Sequence, residues 1–251
     1  MKHSFFHDKN ILITGASRGL VRELALHCAS QGARVFAIAR DEEKLRLLAA
    51  TSSHIHPYVA DITQAAWSDQ LRRILHEYPI DIAILNAGIK ERSEHLFSLP
   101  SVERTFAVNV FGACRTVEVL LPQMREQQHG HLVFISSMGA HHGMVQASGY
   151  NASKAALLNL ATSLRMDLVR EKIPITVTVV EPGLFRTSMI SSKGLMNWLA
   201  MDVSAVSKRI IKGIVRGEEK IVCPKWMSFM TQVIAHVPGR WQRMLLTRVK
   251  S

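Results

Sequence analysis

Residues 10–21 read NILITGASRGLV, a short apolar run that passes through two glycines into a longer segment. The β-prone run Asn10–Thr14 predicts a strand, and the apolar residues from Leu20 onwards recur at three- and four-residue spacing, which predicts a helix. Gly15 and Gly19 let the connecting loop turn sharply and approach a pyrophosphate, while the N-terminus of the helix offers unpaired N–H groups. A glycine pair alone is equally typical of an ordinary strand–helix turn, so this interpretation depends on its surroundings.

The rest of the chain continues this alternation of short apolar runs and longer helical patterns. Strands are predicted at Asn10–Thr14, Arg34–Ala39, His54–Ala60, Asp81–Asn86, His131–Ser136, Ile175–Val180 and Lys220–Cys223. Helices are predicted at Leu20–Ser30, Glu42–Ala50, Gln64–Glu77, Val102–Arg125 and Tyr150–Arg170. Strands that are apolar on both faces and alternate with helices are typical of a parallel sheet covered on each side. We predict an α/β fold, a single doubly wound domain with a seven-stranded parallel sheet.

The charge balance is the unusual feature of the composition. The 251 residues are 47% hydrophobic and 20% charged, which excludes a disordered chain and a collagen-like repeat. The 31 Lys and Arg against 20 Asp and Glu leave a net charge of +11. Such an excess raises nucleic acid, an anionic membrane and phosphate-bearing ligands as partners. No zinc spacing or recognition-helix pattern accompanies it, so nucleic acid is the least favoured of the three.

The cysteines and the N-terminus bear on the compartment. Cys28, Cys114 and Cys223 are widely separated and form no CxxC pair, so neither a disulfide framework nor a zinc cluster is expected. The first residues lack the apolar run of a signal peptide, and no apolar stretch approaches the roughly 20 residues that span a bilayer. These features favour a cytoplasmic protein with small buried thiols.

The end of the second predicted strand bears on cofactor choice. A cofactor with a free ribose 2′-hydroxyl is normally met there by an acid, but Ala39 stands at that position and Arg40 follows it. Together with Arg18, Arg40 places two cations where a 2′-phosphate would lie. This favours NADP(H), although an arginine at a strand end is often only solvated surface.

Tyr150 and Lys154 lie four residues apart at the start of a predicted helix, on one face and one turn from each other. A nearby ammonium favours the phenolate and lowers a pKa that is ordinarily near 10, which suits a proton-transfer group. Ser137 follows the fifth strand, at the edge where doubly wound sheets bind ligands. Taken singly, the pair is usually a helix face and the serine a turn cap.

At these residues the sequence resembles the short-chain dehydrogenase/reductase family, from Thr14 to about Cys223. The resemblance rests on an ordered set of motifs: Thr14-Gly15 with Gly19, Asp61, Asn86-Ala87-Gly88, Asn109, Ser137, Tyr150 with Lys154, and Pro182-Gly183 with Thr187. It implies a Rossmann fold and hydride transfer between a nicotinamide cofactor and a carbonyl or alcohol.

The resemblance also implies a role for each matching residue. Tyr150 is expected to be the general acid in reduction and the base in oxidation, Lys154 to lower its pKa and hold the nicotinamide ribose, and Ser137 to bond the substrate oxygen. Asn109 is expected to position Lys154 through a water. The implied cofactor-binding residues are Gly15, Ser17, Arg18, Gly19, Leu20, Arg40, Asp61, Ile62, Asn86, Ala87, Gly88, Tyr150, Lys154, Pro182, Gly183 and Thr187.

Two local features qualify this picture. Val21 stands where the family pattern usually has a third glycine, and its bulk is expected to weaken cofactor binding or to shift the helix slightly. His141 and His142 lie in what would be a substrate-side loop, but adjacent residues rarely converge on one metal, so no metal is predicted.

The C-terminal part, residues 224–251, departs from many family members, and residues 1–223 are predicted to form the catalytic domain. Residues 220–251 contain six Lys or Arg and no acid. The tail carries apolar helical stripes that either pack on protein or lie in the interface of an anionic membrane. The extension is similar to the branch that handles steroids and other lipophilic ketones, including 11β-hydroxysteroid dehydrogenase-like enzymes.

The expected function is NADP(H)-dependent interconversion of a carbonyl and an alcohol on a small to medium apolar substrate. The apolar loop of residues 184–202 would cover that substrate or form a buried helix. The alternatives are a reductase of 3-oxoacyl groups on an acyl carrier protein and a catalytically weak binding or regulatory protein. Relatives commonly form dimers or tetramers through the helices that correspond to Val102–Arg125 and Tyr150–Arg170. The sequence leaves open the substrate and the physiological direction of the reaction.

Overall fold

The computed structural model describes residues 4–91, 96–183, 185, 201–224 and 226. Within these ranges the strands are β1 (Asn10–Thr14), β2 (Arg34–Ala39), β3 (Ile55–Val59), β4 (Ile82–Leu85), β5 (Gly130–Ile135), β6 (Ile175–Pro182) and β7 (Lys220–Cys223). The α-helices are α1 (Gly19–Ser30), α2 (Glu42–Ala49), α3 (Ala66–Glu77), α4 (Leu99–Phe106), α5 (Gly112–Glu126), α6 (Ser148–Arg170) and α7 (Val203–Val215). A π-helical turn spans Ala107–Phe111 and a 3₁₀ turn spans Met138–Ala140.

The seven strands form one parallel sheet in the order β3-β2-β1-β4-β5-β6-β7, which confirms the predicted doubly wound Rossmann fold. The chain order reverses between β1 and β4, where Thr14 stands opposite Ile38 of β2 on one side and Leu85 of β4 on the other. A doubly wound sheet binds its ligand in the crevice that opens at this point, beyond the carboxyl ends of the strands.

Alternate side chains of each strand enter two separate apolar layers. Ile11 and Ile13 of β1 pack with the buried faces of α1, α2 and α7, whereas Leu12 packs with those of α3, α5 and α6. Burial on both faces explains why the strands are near-continuous apolar runs rather than alternating ones. The two layers hold the strand ends at fixed positions along one edge of the sheet.

The prediction of one continuous helix over Val102–Arg125 is wrong, because the structure has two α-helices there. The first begins earlier, at Leu99, where the Ser98 side chain accepts a hydrogen bond from Ser101 N, and the π-helical turn separates it from the second. Gly112, the first residue after that turn, makes room for a neighbour, because a Cβ atom there would lie 2.4 Å from Cδ1 of Ile62. Apolar periodicity continues across both helices, so periodicity alone did not reveal the break.

Helix α7 lies beyond the helices predicted from the sequence, although its signals are ordinary. Asp202 caps it by accepting a hydrogen bond from Ser204 N, and its apolar residues recur at four-residue spacing at Val206, Ile210 and Ile214. Trp226 is exposed, and the rest of the predicted C-terminal stripe lies outside the described residues. In the part of the chain that the structure describes, no helix combines the length and apolar character needed to cross a bilayer.

Candidate active site

A cavity of about 860 Å³ runs along the carboxyl ends of β1, β2, β4, β5 and β6. Its volume lies in the range of small-molecule and cofactor sites. The predicted site residues that line it are Gly15, Ser17, Arg18, Gly19, Leu20, Arg40, Asp61, Ile62, Asn86, Ala87, Gly88, Ser137, Tyr150, Lys154, Pro182 and Gly183. Thr187 lies outside the described residues, and the structure places Asn109 behind the cavity wall.

The glycine loop is shaped to receive a ligand against bare main chain. Gly15 has φ +75°, and a Cβ atom there would lie 2.9 Å from the Ala87 Cα atom, so this position accepts only glycine without movement. Thr14 holds the segment that follows β4 next to this loop, because its hydroxyl oxygen accepts hydrogen bonds from Asn86 N and Ala87 N at 3.1 Å. Among the described residues, no side chain caps the N-terminus of α1. Its amide groups are therefore available to an anion, and the cradle fits a dinucleotide pyrophosphate.

Two arginines stand at the far end of the cavity, beyond β2. Arg40 is largely exposed, and its Nη1 atom lies 3.9 Å from a carboxylate oxygen of Asp61. Asp41 is the nearest acid to the end of β2, but its carboxylate accepts from Lys44 N and contacts the Lys44 ammonium. The hydrogen bond from the Lys44 side chain is the main reason why the pKa of Asp41 is lowered, with Arg18 contributing less. This acid therefore caps α2, and Arg18 and Arg40 remain the positive groups at this end.

Lys154 is buried one helical turn after Tyr150, on the same face of α6, as the spacing predicts. Its Nζ atom donates to the Ile135 carbonyl oxygen at 2.7 Å and lies 5.9 Å from the centroid of the Tyr150 ring. The Ser136 hydroxyl donates to the Lys154 carbonyl oxygen at 2.9 Å, which ties this turn of α6 to the end of β5. Burial lowers the pKa of the Lys154 ammonium to about 8.

Ser137 lies beside Tyr150 and also caps the 3₁₀ turn, because its hydroxyl oxygen accepts from Gly139 N at 3.1 Å. Burial raises the pKa of the Tyr150 phenol above its ordinary value, and the hydrogen bond between Tyr150 and Ser137 acts in the opposite direction. The upward shift is opposite to the one expected from the Lys154 ammonium, since removal of the phenol from water disfavours its charged form. In this arrangement Tyr150 is held protonated beside a hydroxyl.

Asn109 lies in the π-helical turn and is buried with all its amide groups bonded. Its Nδ2 atom donates to the Ser153 hydroxyl at 2.9 Å and to the Ile89 carbonyl at 3.1 Å, and its Oδ1 atom accepts from Ile89 N at 2.8 Å. Ser153 in turn donates to the Tyr150 carbonyl oxygen at 2.7 Å. Asn109 thus joins the loop after β4 to the first turn of α6. Extra residues of this π-helical kind in a helix are frequent at functional sites.

The fold and this arrangement agree with what known proteins show. Residues 9–198 match the family model described as short chain dehydrogenase. The chain belongs to the short-chain dehydrogenase family. This is a family of oxidoreductases that bind a nicotinamide cofactor.

Three similar proteins illustrate the breadth of the family. An uncharacterized oxidoreductase from Myxococcus xanthus is 32% identical over 92% of this chain and 93% of its own length. The 11-beta-hydroxysteroid dehydrogenase-like protein 2 of Arabidopsis thaliana is 28% identical, over 92% of this chain and 79% of its own. The crystal structure of a Burkholderia cenocepacia short chain dehydrogenase in complex with NADP superimposes with a TM-score of 0.79 at 22% identity, over 96% of this chain and 99% of that one.

The structure adds residues to this short-chain dehydrogenase site that sequence reasoning missed. Lys90 lines the cavity, and Ser153 connects Asn109 to the first turn of α6. Lys90 was detectable in principle, because it comes five residues after the last residue of β4, at the edge where ligands bind. No sequence signal distinguished Ser153 from any other serine on a helix.

Val21, the departure from the family glycine, is 2% exposed and packs in the apolar layer of α1, α2 and α7. It also lines the cavity, so it stands where helix and cofactor cradle meet. Val21→Gly would remove a buried side chain. The cavity left by the removed side chain would destabilise the folded protein, and this loss would offset any gain in access for the cofactor.

The two histidines after Ser137 have separate environments. His141 Nε2 lies 2.9 Å from Oε2 of Glu181, a buried residue of β6, and Lys220 Nζ lies 2.9 Å from Oε1 of the same carboxylate. The His142 pKa is lowered by burial and by the proximity of His141. Within the described ranges no three His, Cys, Asp or Glu side chains are grouped so as to hold a metal ion.

Proposed function

We propose that this protein is an NADP(H)-dependent oxidoreductase that interconverts a carbonyl and an alcohol on a small to medium apolar substrate. The observation that carries the proposal is that one cavity contains both a glycine cradle for a dinucleotide and a Tyr150–Ser137 pair with Lys154 behind it. A dinucleotide site alone would support a binding protein. The proton-transfer group beside it supports catalysis.

Each catalytic residue has a task that its environment supports. Tyr150, whose pKa is raised by burial, donates a proton to the substrate oxygen in reduction and accepts it in oxidation. Ser137 bonds the oxygen on which charge develops, and the Lys154 ammonium favours that charge. Asn109 holds the turn that carries Tyr150, and we propose that it also reaches Lys154 through a water. When bound, the nicotinamide supplies or accepts the hydride.

The preference for the phosphorylated cofactor follows from the charges at the end of β2. Arg18 and Arg40 line the cavity there. Of the two acids in the described lining, Asp41 caps α2 and is engaged by Lys44, and Asp61 accepts hydrogen bonds from Thr63 and lies 3.9 Å from Arg40. A guanidinium forms strong, charge-assisted hydrogen bonds with a phosphate. The structural neighbour from Burkholderia cenocepacia was solved with NADP, which supports the same choice.

The apolar substrate class is supported by the reaction end of the cavity. The apolar residues Ile89, Val108 and Phe185 line the cavity. Phe185 also forms a parallel β-bridge with Met201, and residues 186–200 between them lie outside the described ranges. A relative carries the name 11-beta-hydroxysteroid dehydrogenase-like, which supports lipophilic ketones or alcohols. Thr187, in that segment, is proposed to contact the carboxamide of the cofactor.

A substrate panel tests the proposal. Apolar ketones, aldehydes and secondary alcohols, together with a 3-oxoacyl thioester on an acyl carrier protein, are assayed with NADPH, NADP, NADH and NAD by absorbance of the reduced nicotinamide. We expect turnover of free apolar substrates with the phosphorylated cofactors. Preferential turnover of the carrier-linked thioester would favour the 3-oxoacyl reductase instead. Tight NADPH binding without turnover of any carbonyl would favour the binding protein.

We propose that a second copy of the chain packs on α5 and α6. Met166 and Val169 of α6 and Phe111, immediately before α5, are exposed apolar side chains. Burial of such side chains between copies would remove them from water. Light scattering on the wild type and on Met166→Lys tests this: the variant should shift toward the monomer.

We also propose that residues 1–223 form the catalytic domain and that residues 224–251 form a basic extension. Its charge and apolar stripes favour contact with an anionic membrane surface. Co-sedimentation with vesicles of neutral and anionic lipid, with and without the extension, tests the contact. Binding that is unchanged after deletion would contradict it.

A further inference from the structure

Glu181 is a buried acid near the end of β6, directly before the cavity-lining residues Pro182 and Gly183. Its side chain is 2% exposed, and a carboxylate that is removed from water is costly unless other polar groups replace the solvent. The proposed reaction does not use Glu181, which is absent from the described lining of the cavity. Its contacts must therefore account for its place beside the site.

Two basic side chains reach the Glu181 carboxylate from different segments. His141 Nε2, in the loop after β5, lies 2.9 Å from Oε2, and Lys220 Nζ, on β7, lies 2.9 Å from Oε1. Because a carboxylate accepts hydrogen bonds, His141 donates from Nε2, which carries a proton in one neutral tautomer and in the imidazolium. Lys220 belongs to the sheet itself, whereas His141 belongs to the loop that follows Ser137.

His141 comes directly after the 3₁₀ turn that Ser137 caps. The Ser137 hydroxyl oxygen accepts from Gly139 N at 3.1 Å inside this turn, and His141 N donates to the carbonyl of Met138. The next residue, His142, accepts at its carbonyl oxygen from the side chain of Asn151, at 3.3 Å. The loop is thus attached to β6 through one histidine and to the first turn of α6 through the other.

We propose that Glu181 and His141 are positioning residues for Ser137: their hydrogen bond fixes the turn, and so keeps the Ser137 hydroxyl where the substrate oxygen develops charge. This proposal rests on the proposed function, because it concerns the same reaction. A displacement of about 1 Å in a catalytic group can cost about 10²-fold in rate. The main chain of Glu181 continues into Pro182 and Gly183, so the same residue ties the wall of the cofactor cavity to the turn that carries the hydroxyl.

This role predicts a loss in kcat rather than in binding. The Ser137 hydroxyl bonds more strongly to the substrate oxygen once charge has developed on it, so a misplaced hydroxyl raises the transition state more than the bound substrate. Such a loss lowers kcat and kcat/KM alike. A merely structural role for the contact would instead lower the free energy of unfolding and leave kcat of the folded protein unchanged.

Matched variants, assayed with NADPH and the best substrate of the panel, test the contact. His141→Phe keeps a ring without a donor, His141→Gln supplies an amide N–H in its place, and Glu181→Met removes the acceptor. We expect His141→Phe and Glu181→Met each to lower kcat about 10- to 100-fold and to leave the Kd of NADPH within about twofold. The double variant should be no slower than either single variant, because both changes break one hydrogen bond.

Two further variants complete the series. His141→Gln should keep kcat within about threefold of the wild type, since a donor to Glu181 is restored. His76→Phe, which replaces an exposed histidine of α3 away from the described lining of the cavity, is the control and should match the wild type. Losses that add in the double variant, or a kcat of His141→Phe within about twofold of the wild type, would overturn the proposal.

Amide hydrogen exchange of the free protein, followed by mass spectrometry, tests the turn without any need for activity. Peptides that cover residues 137–142 should exchange about tenfold faster in His141→Phe and Glu181→Met than in the wild type, while peptides that cover β1 should not change. If no carbonyl is reduced but this pattern is found, the proposed reaction fails and the positioning contact stands. Unchanged exchange at residues 137–142 would overturn the positioning role whether or not ketones are reduced.

Discussion

The cavity joins two halves that are built in different ways. The nucleotide half, formed by β1, β2, β3 and α1, relies on bare main chain: a glycine at φ +75° and helix amides without a side-chain cap. The reaction half, formed by β4, β5 and β6 with α4, α5 and α6, relies on buried side chains that hydrogen-bond across segments, such as Asn109 and Lys154. We therefore expect the nucleotide half to lose cofactor binding when a substitution adds atoms to it. We expect the reaction half to lose catalysis when a substitution removes atoms from it.

The largest expected effect is in the reaction half. Tyr150→Phe removes one hydroxyl and should lower kcat by about 10² to 10⁴, because general acid–base catalysis typically contributes that much. NADPH affinity, measured by fluorescence titration, should stay within about twofold, since the cradle around Gly15 is untouched. Tyr58→Phe, in β3 and away from the cavity lining, is the matched control and should retain full activity. A Tyr150→Phe enzyme with more than a tenth of wild-type kcat would contradict the assignment.

Adding atoms to the nucleotide half should have the next largest effect. Gly15→Ala forces a side chain into positive φ, which costs about 1–2 kcal/mol, and brings its Cβ atom 2.9 Å from Ala87 Cα. The loop must then move, and a shift of about 1 Å can cost about 10²-fold in binding or rate. We expect a comparable rise in the Kd of NADPH.

Gly217→Ala separates backbone strain from crowding in that experiment. Gly217 has φ +62°, and its nearest neighbour, a Thr176 methyl group, is 4.0 Å from the added Cβ atom. This variant should lose stability in urea unfolding and bind NADPH as the wild type does. If both glycine variants bound NADPH equally well, the close approach of the main chain at Gly15 would not be required for cofactor binding.

The same difference explains which parts of the site could be predicted from sequence. Gly15, Gly19 and Arg40 belong to one strand–turn–helix unit and its neighbour, so their spacing predicts their positions. The strands were predictable because burial on both faces makes them continuous apolar runs. Their ends were less so: β6 continues to Pro182, two residues beyond its predicted end.

The reaction half was only partly predictable, because its contacts join distant parts of the chain. The Tyr150–Lys154 spacing predicts a shared helix face, but nothing local predicts that burial raises the pKa of Tyr150 against the opposing hydrogen bond with Ser137. The π-helical turn at Asn109 interrupts a helix whose apolar periodicity is uninterrupted. The interaction of Lys90 with the Tyr150 ring depends on two segments 60 residues apart.

Lys154 provides a pH test of the reaction half. Its pKa falls from 10.5 to about 8 on burial, so between these values the unfolded chain binds more protons than the folded one. Stability therefore rises with pH across this window, and the cost of burying the charge is fully present below pH 8. A shift of this size corresponds to about 3 kcal/mol. Urea unfolding from pH 7 to 10 should show the wild type gaining stability relative to Lys154→Met.

The same variant should lose catalysis, since it lacks the ammonium beside Tyr150. Lys212→Met, an exposed lysine on α7, should leave the dependence of stability on pH unchanged. Unfolding free energies of the wild type and Lys154→Met that run parallel over the whole range would mean that Lys154 is not charged at a cost in the folded protein. Burial of Lys154 would then cost less folding free energy than its lowered pKa implies.

The smallest expected effect concerns Arg40, a side chain in the nucleotide half. It tests whether that half depends on side chains as well as on main chain. Arg40→Ala should weaken NADPH about tenfold and leave NADH unchanged, since an exposed guanidinium contributes less than a buried one. Arg46→Ala, an exposed arginine on the neighbouring α2, is the control and should change neither Kd. The NADPH preference of the wild type should also decrease as ionic strength rises, because salt screens exposed charges. A tenfold loss of both cofactors in Arg40→Ala would instead mean that Arg40 supports the cradle through Asp61, and the nucleotide half would depend on side-chain contacts as the reaction half does.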